Sequence, residues 1–297
     1  MNMPATPSDL QATIEELWVY PVKSCAGVRL PEAELTDTGL LYDRAWMVVD
    51  AQGQFVSQRE LPRMALIQPS FRMGQLVIKA PGMLALHLAL DAAESPARVR
   101  VWDDVIDACD MGDVAAQWFT DFLSPGAPAD LQKLRLARFD PQVMRRCDPA
   151  WTGDQEAYTQ FADGFGLLVA GRASLDDLNQ RLQAAGRAAV DMRRFRPNIV
   201  LGGLAAYDED RSGPMTITTA DGEAVIAPVK PCARCPIPDI DPDTAERGYR
   251  VSDTLQTYRQ DPRVGGAVTF GMNAIVTTGD GMVLREGQPV RADLRFD

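Results

Sequence analysis

Histidine is nearly missing: the 297 residues include one, His87, set in the alternating segment LALHLALD. Ser–His–Asp and Cys–His hydrolases need an imidazole base, so either chemistry would rest on that one side chain. The alternation reads as a strand and makes His87 a structural residue. Zinc or iron sites rich in histidine are excluded. Long apolar runs are missing too. No window approaches the roughly eighteen unbroken apolar residues of a membrane-crossing helix. The start, MNMPATPSDLQAT, has no basic region leading into an apolar stretch, so neither a membrane span nor a secretory signal is expected. Basic residues are outnumbered, 30 Lys and Arg against 41 Asp and Glu, for a formal charge of −11. A broad nucleic-acid surface needs many phosphate-neutralising cations and is not expected. A single basic pocket for a small anion is compatible with that balance. Cysteine is scarce, five residues at irregular spacing. That is no disulfide framework, and the chain reads as a cytoplasmic protein with free thiols.

What is present is a long series of strand signals. IEELWVYPVKS is interrupted by Pro21, and VRLPEAEL, ALIQPSFRM, QLVIKAP and ARVRVW follow. AWMVVDAQGQFVS predicts a hairpin turning at Ala51-Gln52-Gly53. Strands this short and this closely spaced favour barrels or sandwiches over βαβ units. Apolar residues at helical spacing predict a helix over 114–124, ended by Pro125-Gly126. A second helix is expected over Ser174–Ala185, with Ser174 as N-cap, Asp176 and Asp177 in the first turn, and Gly186 closing it. The later runs PNIVLGGL, MTITTADGEAVIAPVK, GAVTFGMNAIVTT and GMVLREGQPVRADLRF are strands again. The length suits two domains. The stretch SPGAPAD is the expected joint, dividing the chain into 12–126 and 127–297. The expected fold class is mainly β with some helices (α+β) in two β-rich lobes.

The densest chemical signal is VKPCARCPIPDIDPDT, with Cys232 and Cys235 two residues apart. Three readings compete. A structural zinc site needs two further ligands, and Cys25, Cys109, Cys147 and His87 are scattered. A thioredoxin-type dithiol needs a helix N-terminus behind the motif, where Pro231, Pro236 and Pro238 obstruct one. The third reading, a single thiolate acting as soft ligand, suits Lys230 and Arg234 beside the cysteines, since cations favour deprotonation. If the metal arrives on an organic cofactor, one protein bond suffices. An anionic pterin–phosphate would be gripped by basic and amide residues inside apolar segments: Lys23 and Ser24 in YPVKSC, Arg44 in LYDRAW, Arg196 and Asn198 in RFRPNIV. With no histidine near, protons would come from solvent or a carboxylate. Asp239 and Asp241 are candidates that read equally well as solvated loop residues.

These segments resemble a known family. YPVKSCAGVRLPEAELTDTGLLYDRAWMVVD is similar to the N-terminal β-barrel of MOSC-domain proteins, and MRRFRPNIVLGG and PCARC…IDPDT to the MOSC domain itself. FADGFGLLVAGRASLDDLN and FGMNAIV complete the pattern in the family's order, over nearly the whole chain beyond the N-terminal tail. By pattern it resembles the mitochondrial amidoxime-reducing component and its bacterial counterparts, which reduce N-hydroxylated compounds such as hydroxylamines, amidoximes and N-hydroxylated bases on a molybdenum cofactor (Mo-molybdopterin). The resemblance implies that Cys235 is the catalytic cysteine and ligates molybdenum, with Cys232 the fallback because spacing alone does not separate them. It implies that Lys23, Ser24 and Arg44 hold the pterin and its phosphate. Arg196, Asn198, Ala233 and the backbone at Asp163 and Gly164 would complete the grip, with Arg234 beside the thiolate. Asn273 falls where the family has Tyr or Asn near the cofactor.

The chain departs from the pattern at Ala233, where Ser is frequent. It also shows no four-cysteine ferredoxin-type tail before Asp297. The resemblance therefore implies a separate electron-donor protein of flavoprotein, ferredoxin or cytochrome type, and a small-molecule N-hydroxylated substrate. Two other readings stay open. One is a sulfur carrier or transferase, or a cofactor-sulfurating protein, working through a cysteine persulfide. The other is a module that stores or delivers the cofactor.

Overall fold

The computed structural model describes residues 8–248 and 250–295. Seven strands close into a barrel in the order Leu167–Gly171, Ile199–Gly202, Leu10–Val19, Pro289–Ala292, Met215–Thr219, Gly222–Ala233 and Ala267–Thr278, which pairs back to Leu167–Gly171. Closure removes the exposed edges that an open sheet leaves. Ile14, Leu17, Leu35, Ile199, Ile226 and Ala274 fill its interior with no exposed surface. The first strand alternates apolar and polar residues up to Ile14, then shifts phase at a bulge that leaves Glu15 unpaired against Leu201 and Val200. Leu17 and Val19 thereby stay in the core, while Glu15 and Glu16 both meet Arg172.

The second lobe holds an antiparallel sheet in the order Trp46–Val49, Arg135–Phe139, Asp104–Asp110, Ser95–Val101 and a meander of Gln68–Arg72, Gln75–Lys79 and Leu86–Ala89. Helix Gly112–Leu123 packs between them through Trp118, Phe119 and Phe122. The expected hairpin is present: Asp50 N–H donates to Gln54 O at 2.9 Å, and Gly53 takes φ +79°, open to a residue without a Cβ. His87 lies exposed on its strand, 3.1 Å from Gln75 Oε1.

Pairing crosses the 126/127 division at three places, one of them Val283–Arg285 on Glu32–Thr36. Leu10–Val19 belongs to the barrel of the later chain, and Arg135–Phe139 pairs with Trp46–Val49 in the sheet of the earlier chain. The helix expected from Ser174 starts earlier, spanning Arg172–Ala184 with Gly171 at the N-cap. Ser174 is not the cap. It is fully buried, and its hydroxyl bonds both carboxylate oxygens of Glu209 at 2.7 and 2.8 Å. Glu209 also accepts the Gly171 N–H, so a carboxylate from a distant segment satisfies the helix start.

A cationic cleft between the lobes

Pro21 stops the first barrel strand, and Tyr20–Ser24 runs out of the barrel into the second lobe. Lys23 N–H donates to Trp46 O at 2.7 Å, and Ser24 adopts φ +66°. Tyr20 is buried between two guanidinium groups, Arg44 at 4.4 Å and Arg196 at 4.2 Å from its ring centre. Burial pushes its phenol well above the ordinary range, against the pull of both arginines. Arg44 donates to Asp43 Oδ2 at 2.5 Å, Asn198 Oδ1 at 3.1 Å and the Arg196 carbonyl at 3.1 Å. Asn198, also buried, ties Trp18 to Leu168 through its side-chain amide. Arg196 sits at φ +60° and gives one N–H to Cys25 O at 2.6 Å. Burial, and then the Arg44 charge, lower its pKa to about 10. Its Nη2 is buried without a partner among the described residues.

Lys23 is almost wholly buried, and its ammonium reaches Phe161 O at 2.7 Å and Asp163 Oδ1 at 2.6 Å. Burial lowers its pKa, and Asp163 acts in the opposite direction. For Asp163, crowding by nearby atoms acts upward. The Lys23 ammonium, Arg59 and a bond from Trp102 Nε1 override it and hold the carboxyl well below the usual range. Most of that side chain is open to solvent, so screening weakens the pair. Arg145 fixes the loop from behind. It is buried and donates to the carbonyls of Gln160, Ala162 and Asp163 at 2.8, 2.5 and 3.3 Å. Gly166 follows, where a Cβ would stand 2.4 Å from Thr38 O, so only glycine fits.

The opposite wall is the end of strand Gly222–Ala233. Its pairing with Ala267–Thr278 slips at Pro228/Lys230 and again at Pro231/Ala233, leaving Cys232 and Cys235 half-buried at the cleft. Arg234 donates to Cys232 Sγ at 3.0 Å and to Phe195 O at 2.9 Å, and its Nε is buried without a partner among the described residues. Among those residues nothing hydrogen-bonds Cys235 Sγ. Lys230 is not among the lining residues, and its ammonium lies over Trp151 at 4.8 Å and Phe165 at 5.9 Å. The segment after Cys235 is a 3₁₀ turn, Ile237–Asp239, rather than a long helix. Asp239 caps helix Arg250–Gln256 by accepting from Val251 and Ser252 N–H, and Asp241 pairs with Arg194 at 2.7 Å. Neither lines the cleft, which removes both from the candidates for proton supply. The lining carboxylate is Asp163.

The cleft spans about 740 Å³ of non-atom space, part of it open solvent. Lys23, Ser24, Arg44, Asp163, Arg196, Asn198, Cys232, Ala233, Arg234 and Cys235 all line it, although the chain separates the first from the last by over two hundred residues. Gly164 and Asn273 lie outside the lining. Asn273 is on strand Ala267–Thr278, paired beside the lining residue Leu168 and beside Lys230. Sequence reasoning missed Arg59, Phe165, Phe195 and the supporting Arg145. Arg59 and Arg145 carry no local pattern that separates them from surface arginines. Phe195 and Phe165 stand inside quoted motifs and were detectable by adjacency alone. Lys23, Arg44, Arg59, Arg196 and Arg234 face one carboxylate, Asp163. In a chain of net charge −11 this is a concentrated anion site.

Family models agree with this two-lobed arrangement: the MOSC N-terminal beta barrel domain matches residues 11–125, and the MOSC domain matches 157–292. The mitochondrial amidoxime reducing component 2 of Bos taurus is 34% identical over 258 residues, 83% of this chain and 72% of that protein. The human mitochondrial amidoxime-reducing component 1 is 36% identical over 263 residues, 84% of this chain and 73% of that protein. The molybdenum cofactor sulfurase of Bos taurus is 29% identical over 264 residues, 83% of this chain but 29% of that longer protein. The chain belongs to the family of MOSC-domain proteins that includes the mitochondrial amidoxime-reducing components.

Proposed function

We propose that the cleft binds a molybdenum–pterin cofactor and that the protein is a reductase of N-hydroxylated small molecules. The observation that carries this reading is a half-buried thiol without a hydrogen-bond partner among the described residues, Cys235, in a cleft whose described walls carry five cations and one carboxylate. The residues present fit such a group. Arg196 Nη2 and Arg234 Nε are buried donors that lack acceptors among the described residues, and an anionic ligand would supply them. A thiolate is the soft protein ligand that a sulfur-loving metal takes. Cys235 would bond the metal, and Lys23, Ser24, Arg44 and Arg196 would hold the anionic tail. The cofactor, when bound, supplies the two electrons with which an N–OH group and two protons become N–H and water.

The chain's own residues bind, orient and handle charge. Tyr20 holds Arg44 and Arg196 on its two sides, so both cations are set before any ligand arrives. Arg234 donates to Cys232 Sγ and leaves Cys235 as the sulfur available for a bond. Asp163 is ionised and exposed; it holds the Lys23 ammonium at the cleft wall and is too weak a base to pass protons on, so these come from solvent. Electrons come from a separate donor protein in the reducing cytoplasm.

The test is expression in a host that makes molybdopterin, followed by metal analysis and pterin fluorescence. Near-stoichiometric molybdenum is expected, with dithionite-driven reduction of hydroxylamine or benzamidoxime and none with NAD(P)H alone. Cys235→Ser should lose both metal and activity with an unchanged circular-dichroism spectrum. Fully loaded protein that reduces no N-hydroxylated compound would overturn the reading. The similarity to the sulfurase favours a second one, sulfur transfer through a persulfide. Mass spectrometry showing a persulfide on Cys235 in metal-free protein would support it.

A further inference from the structure

The hairpin joining Ser95–Val101 to Asp104–Asp110 turns at Trp102-Asp103, because Val101 pairs directly with Asp104. Trp102 takes φ +54°, a left-handed conformation that the first position of such a turn normally gives to glycine. A bulky residue there is a true outlier and strains the backbone. Nor does core packing offset that strain, since Trp102 is 47% exposed. An exposed tryptophan on a strained turn needs another reason, and its neighbours supply one. The Arg59 guanidinium lies over the ring at 4.7 Å, Phe55 meets it edge-on at 5.0 Å, and its Nε1 donates to Asp163 Oδ1 at 3.2 Å. Arg59 and Asp163 both line the cleft, so the indole stands at its rim.

The platform is braced. Glu60 accepts from both the N–H and the hydroxyl of Ser57, closing the loop that carries Arg59, and Arg247 of the barrel lobe donates to the Arg59 carbonyl. Arg59 lies over the indole and its ring nitrogen is bonded, and close to half of the Trp102 surface stays open. We infer that Trp102, backed by Arg59, is a specificity-determining stacking platform that selects N-hydroxylated substrates with a planar aromatic or heteroaromatic body over small aliphatic ones. The inference rests on the reductase reading for what the cleft does and deepens it by naming what the rim recognises. Stacking on an aromatic ring is tolerant of the partner's identity, because any flat π-face serves.

The test uses cofactor-loaded protein and two substitutions, Trp102→Asn and Trp102→Phe. Asparagine suits the left-handed turn, so Trp102→Asn should raise Tm, which keeps misfolding out of the comparison. It should raise KM for benzamidoxime at least about fivefold, the low end of what a lost stack costs. KM for hydroxylamine, which has no ring, should change far less than KM for benzamidoxime, and molybdenum content should stay unchanged. Trp102→Phe should recover most of the loss. Calorimetric titration with benzamidine, a flat product that undergoes no reduction, should show the same order of affinities. Equal benzamidine affinity in wild type and Trp102→Asn overturns the inference whether or not the protein is a reductase. Loss of molybdenum in Trp102→Asn also overturns it, by placing the indole on the cofactor. Absence of turnover in wild-type protein with benzamidine affinity still dependent on Trp102 would sink the reductase reading alone.

Discussion

Cys232 and Cys235 differ in what their sulfurs touch. Arg234 occupies the first at 3.0 Å, and the second faces the cleft without a donor among the described residues. Cys232→Ser should therefore retain most of its molybdenum where Cys235→Ser loses it, a comparison that metal analysis settles directly. The spacing of two cysteines carries no such distinction, because it depends on where an arginine two residues along points. Asp163 gives a residue-scale prediction with a sign. Its folded pKa lies below the ordinary carboxylate value of about 3.9. Its stabilisation is thus fully present above that value and is lost as pH falls through the folded one. Melting curves of Asp163→Asn and wild type should differ by a constant amount between pH ~5 and the onset of Lys23 titration, and converge in stronger acid. Removing the carboxylate also takes away the group that raises Lys23, which burial already pulls down. The variant should then gain stability as pH climbs from that lowered value toward the ordinary lysine range near 10.4. Curves that run parallel across the whole range would reject the pairing.

Elements came through in the sequence as existence and type more than as boundaries. The strand runs, the Ala51–Gly53 hairpin and the helix before Pro125 follow from local periodicity and turn chemistry, and all are present. The helix at Arg172–Ala184 shows where local reading fails. Ser174 looks like an N-cap, yet the helix start is satisfied by Glu209, a residue 35 positions downstream of it. No local rule reaches that far. Burial raises the Glu209 pKa, and the Ser174 hydroxyl bonds both of its oxygens inside the core. Ser174→Ala leaves a buried carboxyl short of a donor and should cost about 1–3 kcal/mol in urea unfolding. A surface cap typically loses ~1 kcal/mol on the same change, so a loss well below that would contradict the buried role. The cleft residues divide in the same way. Those inside motif segments were found, whereas Arg59 and Arg145 act through tertiary contacts that only the assembled loop shows.

At the scale of the whole molecule, the lobes are laced together by exchange of strands. The barrel needs Leu10–Val19 from the start of the chain, and the other sheet needs Arg135–Phe139 from beyond the Pro/Gly-rich joint. Cutting at 126/127 removes a strand from each. We expect the fragment 127–297 to give broad, poorly dispersed amide resonances and the intact chain to melt in one calorimetric transition. A well-dispersed spectrum from the fragment, or two separated transitions, would show the lobes to be independent. Composition and length indicated two lobes correctly, but strand exchange leaves no trace in either.

The cleft inherits this lacing. One wall, with Lys23, Arg44 and Arg59, comes from early in the chain, and the other, with Arg196 and Cys235, from late. Anything that fills the space is therefore held from both sides and acts as a rivet between halves that already share strands. Occupancy becomes a property of the architecture as much as of the site, so loaded and unloaded protein should part company first in how they resist heat and proteases.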